Sequence, residues 1–338
     1  VLFTVVAGCS GTSDSGDAGS DSGTSDSGAP QYSYFAGDHA LTLSHDGVER
    51  HYFVHVPPSY DGTQSTAVII NLHGGGGSAE TAKAGSLMDA SSDADGYIVV
   101  YPEALEGTGG GRKWNNGPRD DEADQGLGDD VGFIRAMLDV LDEDFAIDAA
   151  RVFTTGISNG GMMAYRLACE LSDSIAAAAP IASQRMVDSC TPDRPISVVH
   201  FHGLEDGLIP YEGGASDLTH LDGQVGIICY NLLQNHVALQ DDMMSADESI
   251  SAFLTRNDCP ADSTTAAHGE QAQTHSYGPC ENDSEVVVCT MADAGHTWPG
   301  GAYEVDGDCL LAAVGGISQD INANEMMWEF FQRHPLTE

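Results

Sequence analysis

The chain has 338 residues, room for one large or two ordinary domains at roughly 150 residues each, and its 41% hydrophobic content is ample for a core, which excludes wholesale disorder. It carries 52 acidic against 12 basic residues, a formal net charge of −40. Nucleic-acid binding needs a basic footprint, and none is present. Such a surface keeps a protein soluble while repelling itself, so adaptation to salty surroundings is expected.

In chain order, the first element is an apolar run, Val1-Leu2-Phe3-Thr4-Val5-Val6-Ala7-Gly8-Cys9. It reads as the end of a signal peptide whose start is missing. Val6-Ala7-Gly8-Cys9 resembles a bacterial lipobox, which implies cleavage before Cys9 and a lipid on that residue. The alternative is an ordinary export signal with a chance cysteine. No run of about 18 apolar residues exists, so no complete membrane-spanning helix is expected. Residues 10–31 are almost entirely Ser, Gly, Asp, Thr and Ala. Such a stretch cannot bury a core and reads as a disordered tether. Four acids lie in it, which leaves −36 of the −40 on residues 32–338, expected to form one folded domain.

Within that domain, Arg50–Val56 is β-rich and ends at Pro57-Pro58. Short apolar runs follow at 67–72, 97–101, 151–155, 196–201 and 286–290. Such runs suit parallel strands buried on both faces. Between them, Asp129–Phe145 places Val131, Ile134, Met137, Leu138 and Leu141 on one helical face, with Asp129 or Asp130 as its cap. A last helix is expected over 321–333. This alternation predicts a doubly wound, mostly parallel α/β sheet with helices on both faces. Two polar stretches, 107–128 and an insertion at about 213–247, are expected to wall a ligand cleft. The acidic cluster 120–130 lacks the spacing of a calcium loop and reads as solvated.

The strongest chemical signal is Gly156-Ile157-Ser158-Asn159-Gly160, placed between a strand pattern and a helix pattern. That context turns Gly-x-Ser-x-Gly into a nucleophile elbow, where a serine sits on a tight turn at a helix N-terminus. A serine needs a base, and the base an orienting acid. Asp206 follows the strand at 196–201 and is the expected acid; Glu205 is its rival, and a local turn before Gly207 is the alternative role for Asp206. His296, in Ala294-Gly295-His296-Thr297-Trp298-Pro299-Gly300-Gly301 after the last strand, is the expected base. Leu72-His73-Gly74-Gly75-Gly76-Gly77 supplies the remaining part of an oxyanion hole. The N–H groups of Gly75 and Asn159 are the expected donors. His73 is expected to organise that loop. No Gly-Lys-Ser/Thr ending follows the glycines, so a phosphate loop is excluded.

Seven cysteines lie beyond Cys9, without metal-site spacing. Disulfides are expected in an oxidising compartment. Proximity suggests Cys169–Cys190, Cys259–Cys280 and Cys289–Cys309, with Cys229 left over. The pairs His51/His55 and His200/His202 each share a strand face, which is weak evidence for a metal, and no metal is expected.

The segments LHGGGGS, GISNGGMMAYRLACE, HFHGLEDGLIPYEGG and GHTWPGG, in this order, resemble the esterase/polyhydroxybutyrate-depolymerase family of α/β-hydrolases, which is similar to bacterial feruloyl and acetyl-xylan esterases. The resemblance runs from about Arg50 to His334. It implies an α/β-hydrolase catalytic domain over 32–338 and a cofactor-free serine esterase with Ser158, Asp206 and His296 as its triad. RKWNNGP (112–118) and DDVGF (129–133) also resemble family segments, which implies that Trp114 and Trp298 flank the substrate cleft. The expected substrate is a feruloyl or acetyl ester of plant polysaccharide. A polymeric polyester comes next, and a peptidase or a non-catalytic surface-binding lipoprotein is the alternative from another class. A monomer is expected, exported as a secreted protein or as a cell-surface lipoprotein whose membrane contact is the lipid on Cys9.

Overall fold

All six expected strands form, and they share one sheet. The computed structural model describes residues 32–107, 110–117, 128–216, 242–302 and 314–337. The lipobox, the tether, Cys229, Cys309, most of the acidic cluster and the middle of the 213–247 insertion lie outside them. Among the described residues the strands are β1 (Gly37–His45), β2 (Val48–Val56), β3 (Thr66–Leu72), β4 (Ile98–Pro102), β5 (Ile147–Ile157), β6 (Ala177–Ile181), β7 (Ser197–Gly203), β8 (Thr264–His268), β9 (Ala272–Tyr277) and β10 (Val286–Met291). Their order is β1-β2-β4-β3-β5-β6-β7-β10-β9-β8. The stretch from β4 to β10 is parallel. Antiparallel hairpins flank it at both edges.

Among the described residues the helices are α1 (Ala79–Ser86), α2 (Met88–Asp95), α3 (Asp130–Asp144), α4 (Asn159–Glu170), α5 (Ala246–Arg256) and α6 (Ala323–Arg333). A strand buried on both faces sends alternate side chains to opposite layers. In β3, Val68, Ile70 and Leu72 join the core under α3, α4 and α5, while Ala67 and Ile69 join the core under α1, α2 and α6. Leu141 of α3 and Phe253 of α5 fill the first layer. Met327 and Phe331 of α6 fill the second, where Phe331 stacks on Phe153 of β5 at 4.5 Å between ring centroids. Each such buried side chain contributes roughly 1.5–3 kcal/mol.

Caps fall where their side chains allow. Asp129 accepts from the Gly132 N–H to start α3, and Asn322 accepts from the Asn324 and Glu325 N–H groups to start α6. Asp130 departs from the reading of 120–130 as solvated: it is fully buried and pairs with Arg50 at 2.6 Å, while Asp129 beside it is exposed. The guanidinium in turn lies 3.9 Å from the centre of the Phe133 ring.

Two of the expected disulfides form, Cys169–Cys190 and Cys259–Cys280. The expected Cys289–Cys309 bridge is corrected: Cys289 is a free, buried thiol in β10. Its side chain belongs to the core under α6, where the alternation of β10 points it, and burial pushes its thiol pKa up to about 12. The insertion at 213–247 enters and leaves through a narrow neck, where Gly214 and Met243 exchange both backbone hydrogen bonds at 2.8 and 2.9 Å. No helix among the described residues is long and apolar enough to cross a membrane.

Candidate active site

Parallel strands end on one edge of the sheet, and the loops there carry the candidate residues. Ser158 follows β5, Asp206 follows β7, and His296 follows β10. Ser158 sits at φ 59°, ψ −126°, a conformation a serine adopts only when its surroundings impose it. Its N–H donates to the Ile181 carbonyl at 3.0 Å, and its own carbonyl accepts from Met162, the first ladder bond of α4. Its hydroxyl is not spent on capping that helix. A Cβ at Gly160 would lie 2.1 Å from the Leu72 carbonyl oxygen, so only glycine lets the elbow close against β3.

The acid and base meet directly. His296 Nδ1–H donates to Asp206 Oδ2 at 2.8 Å, and both side chains are buried. Asp206 Oδ1 accepts from the Leu208 and Ile209 N–H groups at 2.9 and 2.8 Å. The local turn and the contact to histidine therefore coexist, one on each carboxylate oxygen. Glu205 is exposed. The loops bearing Asp206 and His296 are joined: Leu204 N–H donates to the Met291 carbonyl, and Glu205 N–H to that of Ala294. A Cβ at Gly203 would lie 2.2 Å from the Ala294 carbonyl oxygen, which explains the glycine at the end of β7.

Behind Asp206 runs a buried polar chain. Tyr165, His200, His202 and the Ile209 carbonyl are linked at 2.8, 2.9 and 2.8 Å. The carbonyl can only accept, so His202 Nε2 carries the proton. Burial lowers the pKa of both imidazoles, so each holds one proton. His202 Nδ1 then accepts from His200 Nε2–H, and His200 Nδ1 accepts from the Tyr165 hydroxyl. Every proton points toward the Asp206 loop. The shared face of His200 and His202 was the visible signal; their partners are each other and the loop, in place of a metal.

Gly75 and Asn159 also come together: a Cβ at Gly75 would lie 3.5 Å from that of Asn159. Among the described residues the Gly75 N–H has no protein acceptor. Asn159 is the first residue of α4, whose N–H finds no partner within the helix. His73 is buried and organises the loop as expected. Its Nδ1–H donates to Gly74 O at 2.8 Å and its Nε2 accepts from Ala104 N–H at 3.1 Å. Burial holds its pKa below the usual histidine value.

The tryptophans correct an expectation. Trp114 is 0% exposed and Trp298 is 3% exposed, so neither offers a ring face to a cleft. Trp114 Nε1–H donates to the His73 carbonyl and Trp298 Nε1–H to Asn324 Oδ1. Both support the loops around the site.

Among the described residues two groups of side chains have cation-ligand spacing, Asp38/His55/Asp89 and His45/Asp46/Asp129. In the first, Lys83 Nζ lies 2.7 Å from Asp38 and 2.9 Å from Asp89, where a metal would sit. In the second, Asp129 is engaged as the cap of α3.

The sequence pattern of the prolyl oligopeptidase family matches residues 88–206, which include Ser158 and Asp206. Among curated proteins, feruloyl esterase B of Piromyces equi is 29% identical over 252 residues, 73% of this chain. The match spans only 42% of that relative's length. The putative esterase NocK of Nocardia uniformis subsp. tsuyamanensis is 30% identical over 271 residues, 76% of this chain and 73% of the relative. Among solved structures, the acetyl xylan esterase from Aspergillus awamori superposes with a TM-score of 0.57 over 88% of this chain and 100% of its own, at 14% identity. That likeness shows the α/β-hydrolase fold.

Proposed function

This chain belongs to the esterases of the α/β-hydrolase family, and from that premise we propose that it hydrolyses carboxylic esters through an acyl-enzyme. The observation that carries the reading is the 2.8 Å bond between His296 Nδ1 and Asp206 Oδ2, made on the strand ends that also present Ser158. Ser158 Oγ attacks the ester carbonyl while His296 Nε2 takes its proton. The oxyanion gathers the N–H groups of Gly75 and Asn159, and the field at the start of α4 adds to them. The tetrahedral adduct collapses, and the alcohol leaves with the proton from His296. Water then repeats the sequence against the acyl group and returns Ser158 to its free form.

The substrate class is a feruloyl or acetyl ester of plant polysaccharide. Relatives named as feruloyl esterases support it. A polyester is the alternative within the same chemistry. The Cys169–Cys190 and Cys259–Cys280 disulfides support export to an oxidising compartment, and the lipobox-like Val6–Cys9 supports an anchor there. Val6–Cys9 then acts as the lipid signal, residues 10–31 as a tether and residues 32–338 as a monomeric catalytic domain. The match to the prolyl oligopeptidase pattern favours a second reading, amide cleavage.

The test is a hydrolysis panel on wild type and Ser158→Ala, covering p-nitrophenyl acetate, methyl ferulate, acetylated xylan, hydroxybutyrate oligomers and a prolyl anilide. Serine-dependent cleavage led by ferulate or acetylated xylan is expected. Leadership by the oligomers moves the protein to polyesters, and leadership by the anilide makes it a peptidase.

A further inference from the structure

We infer that residues 112–116 form a strap that holds the two oxyanion donors in register, with Trp114 as its positioning residue. This rests on the oxyanion hole proposed above. It gives a task to the two segments, RKWNNGP and DDVGF, that the triad leaves unused.

The strap touches both halves of the hole. On one side, Trp114 Nε1–H donates to the His73 carbonyl at 2.9 Å, and the Arg112 carbonyl accepts from Gly76 N–H at 2.7 Å. These bonds bracket Gly74 and Gly75, so they fix the peptide plane that aims the Gly75 N–H. The indole also packs against the His73 ring at 5.1 Å. On the other side, Trp114 N–H donates to Asn159 Oδ1 at 2.7 Å, and Asn159 Nδ2–H returns toward the Trp114 carbonyl at 3.5 Å. The side chain of Asn159 is thereby tied to the residue that holds the opposite donor. The strap has its own anchor: Asn115 N–H donates to Asp130 Oδ2 at 2.8 Å, while Asp130 Oδ1 is held by Arg50. A buried ion pair is a poor source of net stability but a good source of fixed geometry. Here it sets the depth of the strap.

An oxyanion hole works only when its donors converge on one point, and a misplacement of about 1 Å can cost a hundredfold in rate. Loosening the strap therefore weakens transition-state binding without touching the substrate's acyl or alcohol groups.

The test uses the full chain carrying Trp114→Phe, which keeps an aromatic ring and deletes the indole N–H, or Asn159→Ala, which keeps the Asn159 N–H and deletes its link to Trp114. Each is assayed on p-nitrophenyl acetate and methyl ferulate. Each is also titrated with phenylboronic acid, whose adduct on a catalytic serine places an oxygen in the hole. The expected result is a fall in kcat of about 10- to 100-fold, equal for the two esters, with KM little changed and boronate affinity falling in parallel. Loss confined to methyl ferulate with a raised KM would make Trp114 a recognition residue and overturn the inference. Unchanged kcat and boronate affinity in Asn159→Ala would overturn it as well. Asn159 is half-buried, so that variant decides the matter if Trp114→Phe does not fold. Full turnover by Ser158→Ala, run alongside, would instead overturn the underlying reading of the site.

Discussion

His202 Nε2 lies 3.6 Å from Asp206 Oδ2 yet gives its proton to the Ile209 carbonyl at 2.8 Å. The acid is thereby left to His296, and the loop that carries it is braced by a neutral ring. Were His202 charged, it would compete with His296 for the same oxygen.

That neutrality has a pH signature. Burial lowers the pKa of His73, His200 and His202 in the folded chain. Below about pH 6.5 the unfolded chain takes up protons that these rings refuse, so their contribution is complete above that pH and is lost as pH falls. His55 has the opposite sign, since its folded pKa is raised by its hydrogen bonds to Asp38 and Asp93 against an opposing burial cost. Its contribution is present below pH 6.5 and fades as pH rises through the raised value. Thermal melts between pH 7.5 and 5 should show a shallower acid loss in His202→Gln than in wild type. Equal slopes would mean that His202 is charged in the folded protein.

Asp206→Asn should lower kcat by about four orders of magnitude, because the amide no longer holds His296 in the required tautomer. Glu205→Gln should leave it near wild type, since Glu205 is exposed. The reverse ranking, read from steady-state kinetics, would move the acid to Glu205.

The positive φ of Ser158 separates stability from turnover. Ser158→Ala and Ser158→Gly should both lose activity by orders of magnitude. The glycine variant should be the more stable by about 1 kcal/mol, because only it relaxes in that backbone conformation. Calorimetry on the two variants checks this.

Cys289 should resist iodoacetamide in the folded protein and react once the chain is unfolded without reductant, because it is buried and its thiolate disfavoured. Peptide mapping of the same samples should show Cys169 linked to Cys190 and Cys259 to Cys280. Replacing the Cys259–Cys280 pair by serines should cost about 3 kcal/mol for a bridge with 21 residues of separation.

A formal charge of −40 makes salt a stabiliser if self-repulsion is the dominant surface term. Melting temperature and turnover should both rise between low and molar salt. A fall in both would remove the saline reading.

What was legible in the sequence follows from how each signal arises. Continuous apolar runs mark strands buried on both faces, so β3, β4, β5, β7 and β10 were visible. The elbow was visible because its glycines are forced by close backbone approach. β6 was not: its Ala-Ala-Ala-Pro-Ile has helix-favouring alanines, and it is a strand because small side chains fit between two covered faces. β8 was missed because an exposed edge strand has no apolar pattern to read. The tryptophans were misplaced for a different reason. A ring near a site in sequence can serve the substrate or the scaffold, and only the partner of its N–H tells which. Asp130 was likewise hidden in a run of acidic sequence until Arg50, 80 residues away, was seen against it.

The acid and the base hang from neighbouring strands paired in parallel, Phe201 with Cys289 through Gly203 with Met291. The chain between them leaves β7, passes the narrow neck at Gly214 and Met243, and returns through the β8–β9 hairpin to the same register. Strand pairing therefore sets the distance from Asp206 to His296, and substitutions beyond the Gly214–Met243 neck should leave that distance unchanged.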